Sequence, residues 1–349
     1  MDELVDRIVD ELEIKGKLYI GEMLDTLYLG GGTPSLLHPR HLEKILNAIH
    51  RLFSFRDAPE ITIECNPDDL YTEYLSFLWK SGFNRLSVGI QSFQEAELKL
   101  MRRSHSVIQA SRSVREAARA GFKNITIDLI YGVPGQTTEK WESNVKKALS
   151  LPVTHIAAYH LTYEPGTVFD HWRKKGRITP VPEDMSIEQY RILRQLTEEN
   201  GYDHYEISNF ARKGRYSEHN MIYWSGNPYL GIGPSAHSFD GKNRSWNISS
   251  LKKYMELIQQ GDPFAESEQL TKTDQYHETL ITALRTRQGI DPDYLEKQFG
   301  TETLQHFLQK TASFLESGMM VHNGPRISIH PDHWFISDYI LRELYMENH

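Results

Sequence analysis

The chain contains, at residues 26–34, the stretch TLYLGGGTP, in which a short apolar run ends in three consecutive glycines. Four more short apolar runs follow it, at residues 61–65, 85–90, 125–130 and 155–161. Helix-like stretches occur before and between these runs, at residues 3–14, 39–53, 70–81, 93–101, 107–121 and 138–150. Such alternation is typical of repeated β-α units. The sequence therefore predicts an α/β fold with a parallel sheet, either open or closed into a barrel.

The composition is that of an ordinary globular protein, with 39% hydrophobic and 25% charged residues in a chain of 349. The net charge of −8 argues against a general nucleic-acid binder. No apolar run approaches the ~18 residues that a membrane-spanning helix needs. Met1 is followed by two acidic residues rather than by the basic segment of a secretory signal. We therefore expect a cytoplasmic protein.

Cys65 is the only cysteine in the sequence. One thiol cannot form an intrachain disulfide, a C-x-x-C redox pair or an iron–sulfur site with three thiolates. The 16 histidines and the 18 Tyr, 14 Phe and 6 Trp residues remain as candidate ligands and stacking surfaces. These aromatic side chains suit a flat, partly apolar ligand, although an aromatic core is the simpler interpretation.

The β-α rhythm stops after residue 165, and three domains are predicted, at residues 1–165, 166–265 and 266–349. The middle segment combines one clear helix, at residues 186–200, with loops rich in Gly, Asn, Ser and Tyr. The last segment predicts helices at residues 274–287, 292–299 and 301–317, strands at residues 319–322 and 326–330, and a helix at residues 332–345. Three helices and a hairpin form a winged-helix-like arrangement, which the negative charge favours as a packing or partner module rather than a DNA reader.

Polar residues stand at the carboxyl end of every predicted strand in the first half of the chain. They are the glycine turn of residues 30–32 with Thr33, then Glu64, Gln91, Asp128 and Tyr159. In parallel α/β sheets and barrels these strand ends form the ligand site. For any one of these residues, a packing role is as plausible as a functional one, but five successive strand ends favour a binding rim.

The three glycines allow a ligand to approach the backbone closely, because no Cβ stands in the way. No Lys-Ser or Lys-Thr follows at P-loop spacing, so the turn does not predict a nucleotide phosphate site. A small zwitterion fits it better. Glu64 and Asp128 are acceptors for an ammonium group or ribose hydroxyls, and Arg103 is a partner for a carboxylate.

A second polar and aromatic cluster contains His219, Asn220, Tyr223 and Trp224. His219 is a candidate ligand for a metal or a haem iron, with Tyr223 and Trp224 packing on the macrocycle. The residues alone favour a simpler interpretation, in which His219 bonds a backbone carbonyl in an aromatic subcore. Nearby, residues 231–236 read GIGPSA and match a dinucleotide-binding pattern, but no β-α-β unit surrounds them and we predict no nucleotide site there.

Four motifs together resemble a known family. They are residues 29–35 (LGGGTPS), 64–67 (ECNP), 87–93 (SVGIQSF) and 128–137 (DLIYGVPGQT). The sequence resembles the radical S-adenosylmethionine (SAM) proteins related to oxygen-independent coproporphyrinogen III oxidase. Within that family, residues 219–224 (HNMIYW) are similar to the haem-chaperone branch.

This resemblance implies a partial (β/α)6 barrel, a loop-rich extension and a small, mainly helical C-terminal domain. It implies that SAM is bound by residues of the rim, namely Gly32, Thr33, Glu64, Gln91, Arg103, Asp128 and Tyr159. It implies that haem is handled by His219, Asn220, Tyr223 and Trp224, with His219 as the candidate iron ligand. The implied partners are haem-accepting proteins, not nucleic acids, and a homodimer is left open.

The sequence departs from the family at its cluster motif. The family holds a 4Fe-4S cluster with a C-x3-C-x2-C motif after the first barrel strand, upstream of a helix like residues 4–12. That motif is absent here, so we expect the first strand and cluster loop to be missing. Reductive cleavage of SAM needs the cluster, and radical chemistry is therefore not expected of this chain.

Three functions remain open from the sequence. The favoured one is a haem chaperone with a SAM-binding barrel. The alternative is the oxygen-independent coproporphyrinogen III oxidase reaction, an oxidative decarboxylation in porphyrin biosynthesis. The third is a degenerate barrel that serves only as an interaction module.

Overall fold

The computed structural model describes residues 1–347. Its first half alternates helices and strands, as the sequence predicts. In chain order these are α1 (Asp2–Gly16), β1 (Met23–Leu29), α2 (Pro39–Leu52), β2 (Ser54–Cys65), α3 (Thr72–Lys80), β3 (Arg85–Gln91), α4 (Glu95–Leu100), α5 (Val107–Arg119), β4 (Asn124–Tyr131), α6 (Thr138–Leu149) and β5 (His155–His160).

The middle of the chain is more regular than its sequence suggests. Its elements are α7 (Val168–Lys174), α8 (Glu183–Glu199), β6 (Tyr202–Glu206), β7 (Asn209–Arg212), α9 (Glu218–Trp224), β8 (His237–Phe239), β9 (Asn243–Asn247), α10 (Leu251–Gln260) and β10 (Ala265–Gln269). The expectation of one helix among loops was therefore wrong. Strand β10 has no buried residue, so it lacks the alternation that reveals a half-buried strand. Helix α10 did carry local signals, a Ser250 N-cap and a left-handed Gly261 at its end.

The C-terminal segment follows the predicted order of helices and hairpin. Its elements are α11 (Lys272–Leu284), α12 (Pro292–Phe299), α13 (Thr301–Glu316), β11 (Met320–Asn323), β12 (Arg326–Ile329) and α14 (Ser337–Leu344). The hairpin pairs β11 with β12 in antiparallel register. The last predicted helix is shorter than expected, because Pro331–Ile336 forms a 3-10 helix ahead of α14.

The main sheet has seven strands in the order β1-β2-β3-β4-β5-β7-β6. Neighbouring strands from β2 to β5 are parallel, while β7 pairs antiparallel with both β5 and β6. Residues 85–90 of β3 are all buried, as expected for a parallel strand covered on both faces. The predicted α/β fold with a parallel barrel-type sheet and a helical C-terminal region is confirmed.

Local sequence sets the helices that follow these strands. Ser106 and Gln109 form a reciprocal capping box that starts α5. The Thr137 side chain accepts a hydrogen bond from the Lys140 amide and starts α6. Along α5, Ala110, Val114 and Ala117 are fully buried, which is the 3-to-4-residue spacing of a helix face on a core.

The described residues group into two compact units that do not follow chain order. One comprises residues 1–27, 37–60 and the described residues from 217 onward, and the other residues 28–36 and 61–216. In the first unit, Val5 and Leu12 of α1 pack with Ile45 and Ile49 of α2 in one apolar cluster. The domain boundaries predicted at residues 165 and 265 stay a prediction. Within residues 1–347, no helix has the length and apolar character needed to cross a membrane.

Candidate functional site

The glycine turn after β1 lies against a carboxylate of β2. The Gly31 amide donates to Glu64 Oε2 at 3.1 Å, and the Tyr28 hydroxyl donates to Glu64 Oε1 at 2.8 Å. A Cβ at Gly30 would lie 2.5 Å from Tyr28 Cε1 and 2.9 Å from Glu64 Oε1, so only glycine fits there. Gly31 and Gly32 have left-handed backbones (φ 74° and 66°), and an added Cβ at either would meet no protein atom within 4 Å. The turn therefore presents open backbone beside Glu64.

Asp128 lies two strands from Glu64 and shares its electrostatic environment. The register pairs Glu64 with Ser87 across β2 and β3, and the Ser87 hydroxyl donates to Asp128 Oδ1 at 3.2 Å. Burial of the carboxyl group, together with the nearby charge of Glu64, raises the pKa of Asp128 to about 7. The site thus holds one carboxylate beside a second carboxyl group that resists ionisation.

Gln91 and Arg103 both approach the backbone of Gly89. Arg103 Nη2 donates to the Gly89 carbonyl at 3.1 Å, and a Cβ on Gly89 would lie 2.9 Å from Arg103 Nη2 and 3.0 Å from Gln91 Nε2. Gln91 has a left-handed backbone (φ 67°) where β3 loses register with β4. The Arg103 Nε atom is buried without a hydrogen-bond partner among the described residues. An unpaired guanidinium donor at this edge suits an incoming carboxylate.

Tyr159 and Thr33 complete the predicted rim. Tyr159 lies beside Ile130 in the register of β4 and β5, and its side chain is 47% exposed. The Thr33 carbonyl accepts from the Leu36 amide at 3.1 Å and opens a 3-10 turn. All the predicted SAM residues thus belong to one compact unit, and their binding roles stay a prediction.

The second predicted cluster lies on α9, in the other compact unit. None of its residues is buried, which argues against the aromatic-subcore interpretation of His219. The Ser217 hydroxyl accepts from the Asn220 amide at 3.3 Å and caps the helix. Tyr223 packs edge-on against His219, with ring centroids 5.0 Å apart, and against Tyr229 at 4.5 Å. The helix therefore presents His219 and Tyr223 on one face. Tyr223 is exposed, whereas His219, Asn220 and Trp224 are half-buried.

Two residues that hold His219 were missed by sequence reasoning. Glu60 is buried and accepts from the His219 amide at 3.0 Å and from the Glu218 amide at 3.2 Å. The Thr26 hydroxyl lies 2.7 Å from His219 Nδ1. Both residues lie more than 150 positions from His219 in the chain, Thr26 in β1 and Glu60 in β2. No local pattern could have found them.

The dinucleotide-like stretch at residues 231–236 has a structural role. Glu11 is fully buried and accepts from the Gly233 amide and from Asn247 Nδ2, both at 2.7 Å. Lys15 donates to the Gly231 carbonyl at 3.0 Å, and a Cβ on Gly231 would lie 2.1 Å from the His237 carbonyl oxygen. These glycines therefore serve close packing around a buried carboxylate.

The residues present do not fit an iron–sulfur cluster. Cys65 is 4% exposed, and burial raises the pKa of its thiol well above its ordinary value. Within residues 1–347, no group of three or more His, Cys, Asp and Glu side chains is placed to hold a metal ion. A buried neutral thiol is neither a metal ligand nor one of the three thiolates that a cluster requires.

Comparison with known proteins gives consistent matches over almost the whole chain. The Radical SAM superfamily profile matches residues 2–148, and the HemN C-terminal domain profile matches residues 270–335. The "Heme chaperone HemW" of Bacillus subtilis is 36% identical over 303 residues, covering 86% of this chain and 80% of that protein. The "Heme chaperone HemW" of Lactococcus lactis is 34% identical, covering 93% of this chain and 85% of its own.

Among solved structures, the radical SAM enzyme coproporphyrinogen III oxidase (HemN) of Escherichia coli superimposes with a TM-score of 0.85, covering 99% of this chain and 83% of its own. At 24% identity this match establishes the shared fold and nothing about activity. The resemblance deduced from the four motifs and residues 219–224 is confirmed by the sequence relatives. The chain belongs to the HemW family of the radical SAM superfamily.

Proposed function

We propose that this protein is a haem chaperone, which binds haem and passes it to acceptor proteins. Two curated relatives at 34% and 36% identity carry the name heme chaperone. The observation that carries the proposal is the arrangement on α9, a histidine held at both ring nitrogens beside a 40% exposed tyrosine on a helix with no buried residue. An imidazole next to accessible aromatic faces is suited to a flat, iron-bearing macrocycle.

Each of these residues of α9 would make a different contact with haem. His219 would supply an imidazole nitrogen as a ligand to the haem iron. Tyr223 and Trp224 would cover part of the macrocycle with their rings, and Asn220 would supply an amide that can donate or accept.

Removing the proposed iron ligand is the first test. Wild-type protein is expected to shift the Soret band of added haem, and His219→Ala should bind haem roughly 10-fold or more weakly with a changed spectrum. Titration followed by absorbance measures both. His322→Ala, which removes an exposed histidine of β11, is the matched control and should leave both unchanged. Identical titrations for His219→Ala and wild type would remove His219 from the site.

We infer in addition that the rim of the barrel binds SAM. Glu64 would accept from the ammonium group, Arg103 would pair with the carboxylate, and Gly32 with Thr33 would lie along the methionyl part. Asp128, Gln91 and Tyr159 would hold the rest of the molecule. The unpaired Arg103 Nε and the open space above Gly31 and Gly32 support this assignment. The sequence has one cysteine where a cluster takes three thiolates, and no radical step is assigned to the chain.

A branched side chain in the glycine turn tests this pocket. Gly32→Val would place its Cβ where no protein atom lies within 4 Å, in the space assigned to the ligand. We expect SAM binding to weaken at least about 10-fold, because backbone approach is blocked. Isothermal calorimetry measures the change. Gly82→Val is the control. Gly82 is also left-handed (φ 93°) with open space around it, but it lies before the amino end of β3 and not at the carboxyl end of a strand. Equal SAM affinity in Gly32→Val and wild type would show that the pocket is misplaced.

A further inference from the structure

The His219 imidazole is contacted at both of its nitrogens by hydroxyl groups from different elements. Thr26 Oγ1 of β1 lies 2.7 Å from Nδ1, and Tyr223 Oη of α9 lies 3.2 Å from Nε2. The backbone of His219 is held separately by buried Glu60. The ring is therefore fixed in position and has a polar partner on each side.

The chemistry of the two hydroxyls assigns the proton on the ring. A neutral imidazole has one N–H donor and one acceptor nitrogen. A phenol is a stronger hydrogen-bond donor than an aliphatic alcohol, so Tyr223 is the better donor and Thr26 the better acceptor. Two arrangements satisfy both contacts, and this difference favours the one in which Tyr223 donates to Nε2 and Nδ1–H donates to Thr26.

We propose that Thr26 is a positioning residue that makes Nε2 the iron-binding nitrogen of His219, and that the Tyr223 hydroxyl occupies Nε2 until haem displaces it. The inference rests on the proposed haem function. Metal-ligating histidines typically donate their other ring N–H to a neighbouring group, which fixes the tautomer and raises ligand basicity. Thr26 stands in that place.

The hydrogen bond between Tyr223 and His219 favours the release of haem. Its side chain is 40% exposed and has room to turn aside, whereas His219 is anchored at Nδ1 and at its amide. Haem binding would break the Tyr223–Nε2 hydrogen bond, and release of haem would restore it. The Tyr223 hydroxyl therefore competes with iron for Nε2. This competition lowers the affinity of the protein for haem and so favours transfer of haem to an acceptor.

Substitutions at Thr26 test the positioning role. Thr26→Val keeps the shape and the strand preference of the residue but removes the acceptor. We expect haem affinity to fall about 10- to 100-fold with a changed Soret band, as for other partners of metal-bound histidine. Thr26→Ser restores a hydroxyl and should recover most of the affinity. Equal affinity and an equal spectrum for Thr26→Val and wild type would overturn the role of Thr26.

The tautomer provides a readout that does not depend on haem. Nuclear magnetic resonance of haem-free protein with ¹⁵N-labelled histidine should show the proton of His219 on Nδ1, the less common tautomer of free histidine. In Thr26→Val the proton should no longer be confined to Nδ1. A wild-type ring protonated on Nε2 would overturn the proposal regardless of any effect on haem binding.

Tyr223→Phe tests the competing hydroxyl. It keeps the aromatic ring and should bind haem about 3- to 10-fold more tightly, because one hydrogen bond no longer competes with iron. Transfer of haem from the variant to excess apomyoglobin should be slower by a similar factor. Tyr229→Phe, which removes a hydroxyl from the same aromatic cluster but not from His219, should transfer haem at the wild-type rate.

The outcomes separate this inference from the function on which it rests. Equal or weaker haem binding by Tyr223→Phe, with transfer no slower, would overturn the competition. Wild-type protein that gives no shifted Soret band and no saturable haem binding would overturn the chaperone function itself. Wild-type binding with unaltered variants would overturn the inference alone.

Discussion

Anaerobic reconstitution of the 349-residue chain with iron and sulfide is expected to give no stoichiometric 4Fe-4S cluster, and no 5′-deoxyadenosine should form from SAM. The physical reason is the supply of thiolates. A cluster of this kind takes three protein thiolates, and the chain has one cysteine. Cys65 lies at the end of β2 with its Sγ directed to the Ile63 carbonyl at 3.7 Å, and burial keeps its thiol protonated.

Iron and sulfide analysis and electron paramagnetic resonance of the reduced sample measure the result. Cys65→Ser should behave like the wild type, since the buried thiol contributes no ligand. A version extended at its N-terminus by a segment bearing C-x3-C-x2-C should gain cluster binding if the rim is intact. Near-stoichiometric cluster with a matching resonance signal in the unextended chain would contradict the expectation.

The parts of the fold that could be predicted are those where burial imposes a pattern. Strand β3 is buried along nearly its whole length and has apolar residues at alternate positions, Leu86, Val88 and Ile90. Helix α5 has Ala110, Val114 and Ala117 on its buried face. Strand β10 is exposed at every position and gave no such pattern. Hydrophobic periodicity in a sequence arises from contact with a core. An element that lies on the surface therefore shows little of this periodicity.

The candidate sites divide in the same way. Glu64 and Asp128 could be found because each stands at or near a strand end, and parallel topology brings such ends to one edge. The donor and acceptor partners of His219 could not, since Thr26 and Glu60 look like ordinary strand residues and meet α9 only after folding. Sequence thus reveals groups that share an edge of the sheet but not pairs that depend on tertiary approach.

Replacing Asp128 with asparagine is expected to stabilise the protein, and by more as the pH rises. The ordinary pKa of the aspartate is 3.8, and in the folded protein it is raised to about 7. Below the lower value both the folded and unfolded states are protonated, and the residue has no net effect. Between the two values the unfolded chain ionises first, so the free energy of unfolding falls as pH rises. Above about 7 both states are ionised, and the folded protein retains the full cost of a charged Asp128.

That cost amounts to about 4 kcal/mol at most, and to roughly 2–4 kcal/mol for this half-buried side chain. Asparagine is neutral throughout and still offers an oxygen to the Ser87 hydroxyl. Urea unfolding should therefore show Asp128→Asn equal to wild type near about pH 4 and more stable by roughly 2–4 kcal/mol near about pH 8. Glu198→Gln, which removes an exposed carboxylate from the same compact unit, should show no comparable rise.

A stability difference that does not change with pH would show that Asp128 ionises normally in the folded protein. The complementary measurement is SAM affinity, which we expect Asp128→Asn to weaken, because an amide is a poorer partner than a carboxylate for an ammonium group or ribose hydroxyls. A residue that destabilises the fold and yet strengthens ligand binding is placed there for the ligand. Greater stability at about pH 8 together with weaker SAM binding would thus assign Asp128 to the pocket, whereas greater stability with unchanged SAM binding would remove it from the SAM contacts.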